Sequence, residues 1–273
     1  KYSITWKNIE VINDENGKPK INFIDSKIEK LKNIDISISH CKDYAIAFVI
    51  AEIEDKEGDK MEFFDTHSHY NYEAFDDDIN IVINDIYKEG ITKTVVVGYD
   101  IEKSKRSVDI ANKYNFIYSA VGIHPSNIEK TEKEILKQIE TIKEMTTNPK
   151  VVAIGEIGLD YHWEKENKEL QKFSFLKQIE LANELKLPII IHTRDAIMDT
   201  IEILKSKKIK YSGVLHCCSL NKELIDTGLK AGLYISFAGP ITFKNTINTE
   251  MIESIPEDRI LIETDCPYLS PEP

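Results

Sequence analysis

From Met61 onward the sequence predicts an α/β fold, a (β/α)8 barrel, with a small β-rich segment ahead of it. Two observations carry this. Eight short β-branched runs alternate with amphipathic stretches, and metal-ligand side chains stand where the runs end. The runs lie at about 62–65, 94–98, 117–121, 151–155, 188–192, 212–216, 233–237 and 260–264. Between them fall helical stretches such as Asp77–Lys88, Glu132–Met145, Glu169–Leu185 and Ala196–Ser206. In the third of these, Leu170, Phe173, Leu176, Ile179 and Ala182 recur near the period that turns one stripe inward. A doubly wound sheet alternates similarly but gathers its site at a switch point, whereas a barrel collects residues from several strand ends at one mouth. Five of these strand ends carry ligand-type residues, which favours the barrel.

Those ends read in order. His67 and His69 follow Met61-Glu62-Phe63-Phe64-Asp65, and Glu156 follows Val151-Val152-Ala153-Ile154-Gly155. His192 follows Pro188-Ile189-Ile190-Ile191, and His216 follows Gly213-Val214-Leu215. Asp265 follows Ile260-Leu261-Ile262-Glu263-Thr264. Taken singly, each has an ordinary explanation. His-x-His pairs share a strand face for many reasons, His192 reads as a satisfied buried histidine, and Asp265 before Cys266-Pro267 suits a turn. Six together at five strand ends are expected to converge. Imidazole with carboxylate suits zinc, manganese, iron or magnesium. Six protein ligands are too many for one open catalytic ion and suit two divalent ions with Glu156 bridging. Asp265 is then placed to accept a proton from the attacking water as general base.

Composition narrows the class. The chain has 273 residues, 41% of them apolar, enough for one barrel domain. Its net charge of −12 excludes a global basic field, so an anionic substrate needs local cations and metal. Cys41, Cys217, Cys218 and Cys266 form neither a zinc-ribbon pattern nor a disulfide framework, which predicts reduced thiols and a cytoplasmic location. No apolar run approaches the roughly 20 residues a bilayer requires, so no membrane partner is expected. Lys1 stands where an initiating methionine would, so the native start is expected elsewhere.

Residues 1–60 differ in texture. Asn13-Asp14-Glu15-Asn16-Gly17-Lys18-Pro19 is a turn between two strand-like runs. Asp35–His40 alternates as a half-buried strand does, Tyr44–Ile53 is a nearly continuous apolar strand, and Glu54–Lys60 is a charged linker. The expected organisation is therefore 1–60 and 61–273.

The motifs of the second part carry a resemblance. Phe64-Asp65-Thr66-His67-Ser68-His69, Val121-Gly122-Ile123-His124-Pro125, Gly155-Glu156-Ile157-Gly158-Leu159-Asp160-Tyr161, Ile191-His192-Thr193-Arg194, Leu215-His216-Cys217 and Glu263-Thr264-Asp265-Cys266-Pro267-Tyr268-Leu269 resemble the TatD family of metal-dependent deoxyribonucleases, within the amidohydrolase superfamily of TIM barrels. The resemblance runs from Met61 to the last residue. It implies divalent-metal hydrolysis of phosphodiesters, DNA as substrate, a monomeric barrel, and His67, His69, Glu156, His192, His216 and Asp265 as the metal set. It also places His124 and Arg194 at the substrate phosphate. Two departures stand out. Cys217-Cys218-Ser219-Leu220 replaces the family's aromatic, Ser and Gly, and the chain stops at Pro273, short of the family's last helices. The last strand is then expected to show an uncovered apolar face.

The first part resembles something else. Trp6-Lys7-Asn8-Ile9-Glu10-Val11, the Asn13–Pro19 turn and Ile36-Ser37-Ile38-Ser39-His40 through Ile50 resemble the C-terminal half of holo-acyl-carrier-protein synthase, which transfers 4′-phosphopantetheine. The acidic magnesium ligands of that family lie in a half absent here, so His40 alone implies an inactive remnant. The join reads as the end of one reading frame on the start of another. Two further functions compete with the nuclease. One is an amidohydrolase cleaving a C–N or carboxylic ester bond, such as an aminoacyl-ester deacylase, on the same barrel and ligands. The other is pantetheinyl transfer through residues 1–58.

Overall fold

The computed structural model describes residues 61–163, 165–244 and 249–272, and within the first sixty residues the backbone of four strands. Residues 1–61 and 62–273 form separate units. In the first unit, β1 (Ile9–Asn13) pairs antiparallel with β2 (Pro19–Phe23), and β3 (Leu31–His40) pairs antiparallel with β4 (Ala45–Ile53). The synthase-like motifs, His40 included, rest on side chains that lie outside the described residues.

The second unit alternates strand and helix as the sequence predicts. β5 (Phe63–Ser68), α1 (Ile79–Lys88), β6 (Ile91–Val97), α2 (Ile101–Lys113), β7 (Ile117–Val121), α3 (Glu132–Met145) and β8 (Val151–Asp160) form its first half. α4 (Lys168–Leu185), β9 (Ile189–Arg194), α5 (Ile197–Ser206), β10 (Gly213–Leu215), α6 (Lys222–Lys230), β11 (Tyr234–Phe237), the short α7 (Thr249–Glu253) and β12 (Ile260–Ile262) complete it. β5 to β12 are parallel and hydrogen-bonded in chain order. This is an eight-stranded TIM barrel. Several helices start at a capping residue: Asp100 accepts from the Lys103 amide (2.7 Å) and Thr131 from that of Glu134 (3.3 Å).

Strand side chains alternate between two buried layers, so the strands read as unbroken apolar runs. Val95 and Val97 pack with Ala120, Ala153, Ile190 and Val214 inside the ring, while Val96 turns outward onto Ile83, Ile110 and Ala111. The larger outer cluster joins Ile154, Ile157, Phe175, Ile179, Ile191 and Ile201 under α3, α4 and α5.

The first and last strands meet at the mouth. The Asp265 amide donates to His67 O (2.8 Å) and the His69 amide to Cys266 O (2.8 Å). Below them the buried Asp65 carboxylate accepts from the amide (3.0 Å) and hydroxyl (2.8 Å) of Thr264, and Thr66 Oγ1 donates to Ile262 O (2.9 Å). Burial pushes the Asp65 carboxyl up to about 6, against the pull of the Thr264 donors.

Several strand ends differ from the sequence reading. β12 stops at Ile262, while β5 runs on to Ser68, β9 to Arg194 and β8 to Asp160, so His67, His192 and Glu156 sit inside their strands rather than after them. Gly155 and Gly158 look like a loop in sequence. In space they let β8 pass its neighbour closely: a Cβ on Gly155 would lie 2.5 Å from Ile190 Cβ, and one on Gly158 (φ 141°) would lie 2.0 Å from His192 O. On the outer side of β12, Ile262 is 56% exposed.

Candidate active site

All six metal-type residues meet at the mouth. The His-x-His spacing puts both rings on one side of β5, and their Nε2 atoms stand 3.1 Å apart. Asp265 Oδ1 lies 3.5 Å from His67 Nε2 and 3.2 Å from His69 Nε2. Glu156 occupies the centre. Its Oε2 is 3.7 Å and 3.8 Å from those two nitrogens, and its Oε1 is 2.9 Å from His192 Nδ1 and 3.5 Å from His216 Nε2. Asp265 reaches its place through a left-handed backbone (φ 54°), as does Cys217 (φ 40°) after β10.

Proton positions follow from the partners. A carbonyl only accepts, so His69 Nδ1, 2.9 Å from Val97 O, carries a hydrogen and Nε2 is the atom turned to Asp265; burial opposes charge on this ring, yet Asp265 and Glu156 raise it. His192 Nε2 faces Asp160 Oδ2 at 3.1 Å, and His216 Nδ1 faces Glu263 Oε1 at 2.9 Å. His69 and His192 thus each spend one nitrogen on an acceptor behind the ring, His216 Nδ1 stands at ion-pair distance from Glu263, and all three turn the other nitrogen toward Glu156 or Asp265, as metal-binding imidazoles do. Burial, then the His216 charge, holds His67 well below the usual imidazole range. Burial also opposes charge on His216, yet Glu263, Asp265 and Glu156 raise it to about 10. Glu156 is held well below the carboxylate range, against its burial, by the imidazoles that face it, His216 and His192 among them.

The donor set fits divalent cations. The Nε2 atoms of His67 and His69 stand 3.1 Å apart and both crowd the buried Asp265 Oδ1, at 3.5 and 3.2 Å. Nitrogen and oxygen donors gathered this closely are the set a positive ion holds together. Among the described residues His67, His69 and Glu156 form one compact donor group, His124, Glu156 and His192 a second, and His67, His216 and Glu263 a third; Glu156 belongs to the first two, which agrees with Glu156 as a bridge.

His124 has a different task, although its Nε2 lies only 3.8 Å from Glu156 Oε1. Its Nδ1 accepts from the Ser126 amide (3.1 Å), so the hydrogen sits on Nε2 and points into the site. Burial and the His192 charge press it down to about 3, which keeps the ring a neutral donor. Arg194 lies at the rim with its guanidinium 5.6 Å from the Trp163 ring centroid. Both border a cavity of about 670 Å³ that also includes Tyr99, Tyr268 and Cys217.

The family model described as TatD related DNase matches residues 64–273. The chain belongs to the TatD family. A Bacillus subtilis relative named uncharacterized metal-dependent hydrolase YabD is 46% identical over 213 residues, covering 77% of this chain and 82% of the relative. The Escherichia coli uncharacterized metal-dependent hydrolase YcfH is 33% identical over 218 residues, 78% of this chain and 80% of its own. The crystal structure of YJJV, a TatD homolog from Escherichia coli, superposes with a TM-score of 0.71 at 30% identity, over 77% of this chain and 81% of that one.

Four residues of this TatD site escape a reading by ligand type. Asp160 and Glu263 stand behind His192 and His216, and both lie inside motifs already quoted. Glu263 also accepts from the Cys217 amide (2.6 Å) and the Ser236 hydroxyl (2.7 Å). The other two are glutamines seven apart on one face of α4. Gln171 grips the amide and carbonyl of Asp160 (both 2.9 Å), and Gln178 grips those of Ile123 (2.8 and 3.0 Å), fixing the loop that carries His124. A buried polar pair within an apolar stripe is the signal that would have found them.

Proposed function

We propose that this TatD-family protein cleaves phosphodiester bonds of DNA, as a monomer, with two divalent ions held by His67, His69, Glu156, His192, His216 and Asp265. Family membership supports the coarser statement, a metal-dependent hydrolase. The observation that carries the finer one is the pairing of this ligand set with two groups suited to an anionic oxygen. These are the neutral Nε2–H of His124 beside Glu156 and the Arg194 guanidinium, which has no carboxylate partner among the described residues. A magnesium, manganese or zinc pair, when bound, supplies Lewis acidity that lowers the pKa of water and offsets charge on the phosphate oxygens. Arg194 binds and orients the phosphate from the rim. His124 donates to a phosphoryl oxygen as negative charge grows there. Asp265, fixed by its backbone between His67 and Tyr268, takes the proton of the attacking water.

Metal content by elemental analysis, with hydrolysis of single-stranded and duplex DNA compared with an aminoacyl ester and a lactone, tests the reading. Metal-dependent cleavage of DNA alone is expected. Turnover of the carbonyl substrates without DNA cleavage would instead identify an amidohydrolase of C–N or carboxylic ester bonds.

A further inference from the structure

Beyond Arg194 the metal cavity borders a second hollow of about 650 Å³, and the two share Thr193, Arg194 and Ser219. The hollow is also lined by Tyr161 and Lys168, neither of which belongs to the metal cavity. Lys168 Nζ rests 4.3 Å from the centroid of the Tyr161 ring, much as Arg194 rests over Trp163. Neither cation forms a contact ion pair among the described residues, Lys168 acting on Asp199 only at longer range, although the chain as a whole carries a charge of −12. The acidic groups lining the same hollow are already engaged. Asp199 accepts from the Tyr161 hydroxyl (2.6 Å) and pairs with Lys172 (2.9 Å), while Asp195 pairs with His162 Nδ1 (3.1 Å). What this hollow offers a ligand is therefore two cations on aromatic supports, with the competing carboxylates occupied.

We propose that the hollow is a second phosphate subsite, in which Lys168, together with Arg194, holds the phosphate next to the one presented to the metal ligands. This rests on the phosphodiesterase reading above and adds a substrate preference to it. A ring face beneath a cation restrains the side chain while leaving its N–H groups free for oxygen. Two cations spread along a groove suit a run of phosphates better than a single anion, and a chain without a global basic field depends on them. The enzyme should accordingly favour an oligonucleotide over an isolated phosphodiester.

The test uses the full chain supplied with manganese and two substrates: bis(p-nitrophenyl) phosphate, with one phosphate, and a single-stranded deoxyoligonucleotide. Lys168→Ala should raise KM for the oligonucleotide about fivefold to tenfold and leave KM for the small diester unchanged, while Lys168→Arg restores the first. The slope of log kcat/KM against log salt for the oligonucleotide should flatten by about 0.7, the share of one phosphate contact on a single strand. Lys177→Ala, which removes a lysine paired with Glu180 elsewhere on α4, should change neither value. If both substrates are hydrolysed and Lys168→Ala leaves the oligonucleotide's KM and salt slope intact, the subsite is wrong and the phosphodiesterase reading stands. If neither substrate is hydrolysed, both fall.

Discussion

Replacing Asp265 by asparagine separates the proton acceptor from everything else that residue does. Asp265 has φ 54°, a left-handed conformation that asparagine adopts readily and alanine does not. Its amide bond to His67 O (2.8 Å) and its carbonyl bond from the Tyr268 amide (2.9 Å) are backbone contacts and survive the change. Asp265→Asn should therefore leave the fold and the mouth closure nearly as stable as before. Asp265→Ala carries the same chemical defect plus roughly 1–2 kcal/mol of backbone cost. The amide oxygen still offers a lone pair where Oδ1 stands, 3.2 Å from His69 Nε2, but it takes no proton at neutral pH. Loss of a general base slows turnover ~10²–10⁴-fold, equivalent to about 2.7–5.4 kcal/mol of barrier. The assay is kcat on bis(p-nitrophenyl) phosphate with manganese, with metal content by elemental analysis and melting temperature measured on the same sample. Turnover within threefold of the parent, at full metal content and unchanged melting, would refute the assignment and move the base to another group.

Other outcomes follow from the same geometry. Arg194→Ala should raise KM for DNA about tenfold, while Lys130→Ala, an exposed change away from the cavity, leaves it alone; equal effects would make Arg194 a general surface charge. Glu263→Gln should weaken manganese binding about 10–100-fold, read by calorimetry, since a carboxamide holds His216 less firmly; unchanged affinity would leave Glu263 as packing only. Gln178→Met strands the buried amide and carbonyl of Ile123 and should cost about 2–6 kcal/mol in denaturant unfolding, at 1–3 kcal/mol per orphaned group; a loss under 1 kcal/mol would mean that the loop finds other partners. Saturating manganese, at a hundred times its Kd, should add about 2.7 kcal/mol of stability by mass action. At 2–4 °C per kcal/mol the melting point rises by roughly 5–11 °C, and a chelator that changes nothing would count against the ligand set.

The barrel was legible because its strands are buried on both faces, so β-branched runs stand out between amphipathic stretches. The ligand positions were legible because imidazoles and carboxylates rarely close such runs by chance. Strand ends were less so. Gly155 and Gly158 carry the composition of a loop, and only the approach of β9 explains why β8 continues through them to Asp160. Tautomers were not legible at all. Which ring nitrogen each histidine turns to the site depends on Ser126 for His124, Val97 for His69, Asp160 for His192 and Glu263 for His216, partners set by three-dimensional neighbourhood rather than spacing. The departure at Cys217-Cys218-Ser219-Leu220 leaves His216 in place, because Glu263 holds both that ring and the Cys217 amide.

The clasp between β5 and β12 has a consequence for how the protein comes into being. Asp65 and Thr264, which it joins, are 199 residues apart in the chain. Of the six ligand-type residues His67 and His69 are made first, Glu156 later and Asp265 last. A partly emerged polypeptide therefore holds scattered imidazoles but no finished centre, and it cannot hydrolyse anything before its own ring is shut. Uptake of a metal ion becomes a timestamp for circularisation, and the sharpest time course of refolding should come from following the ion rather than the helices.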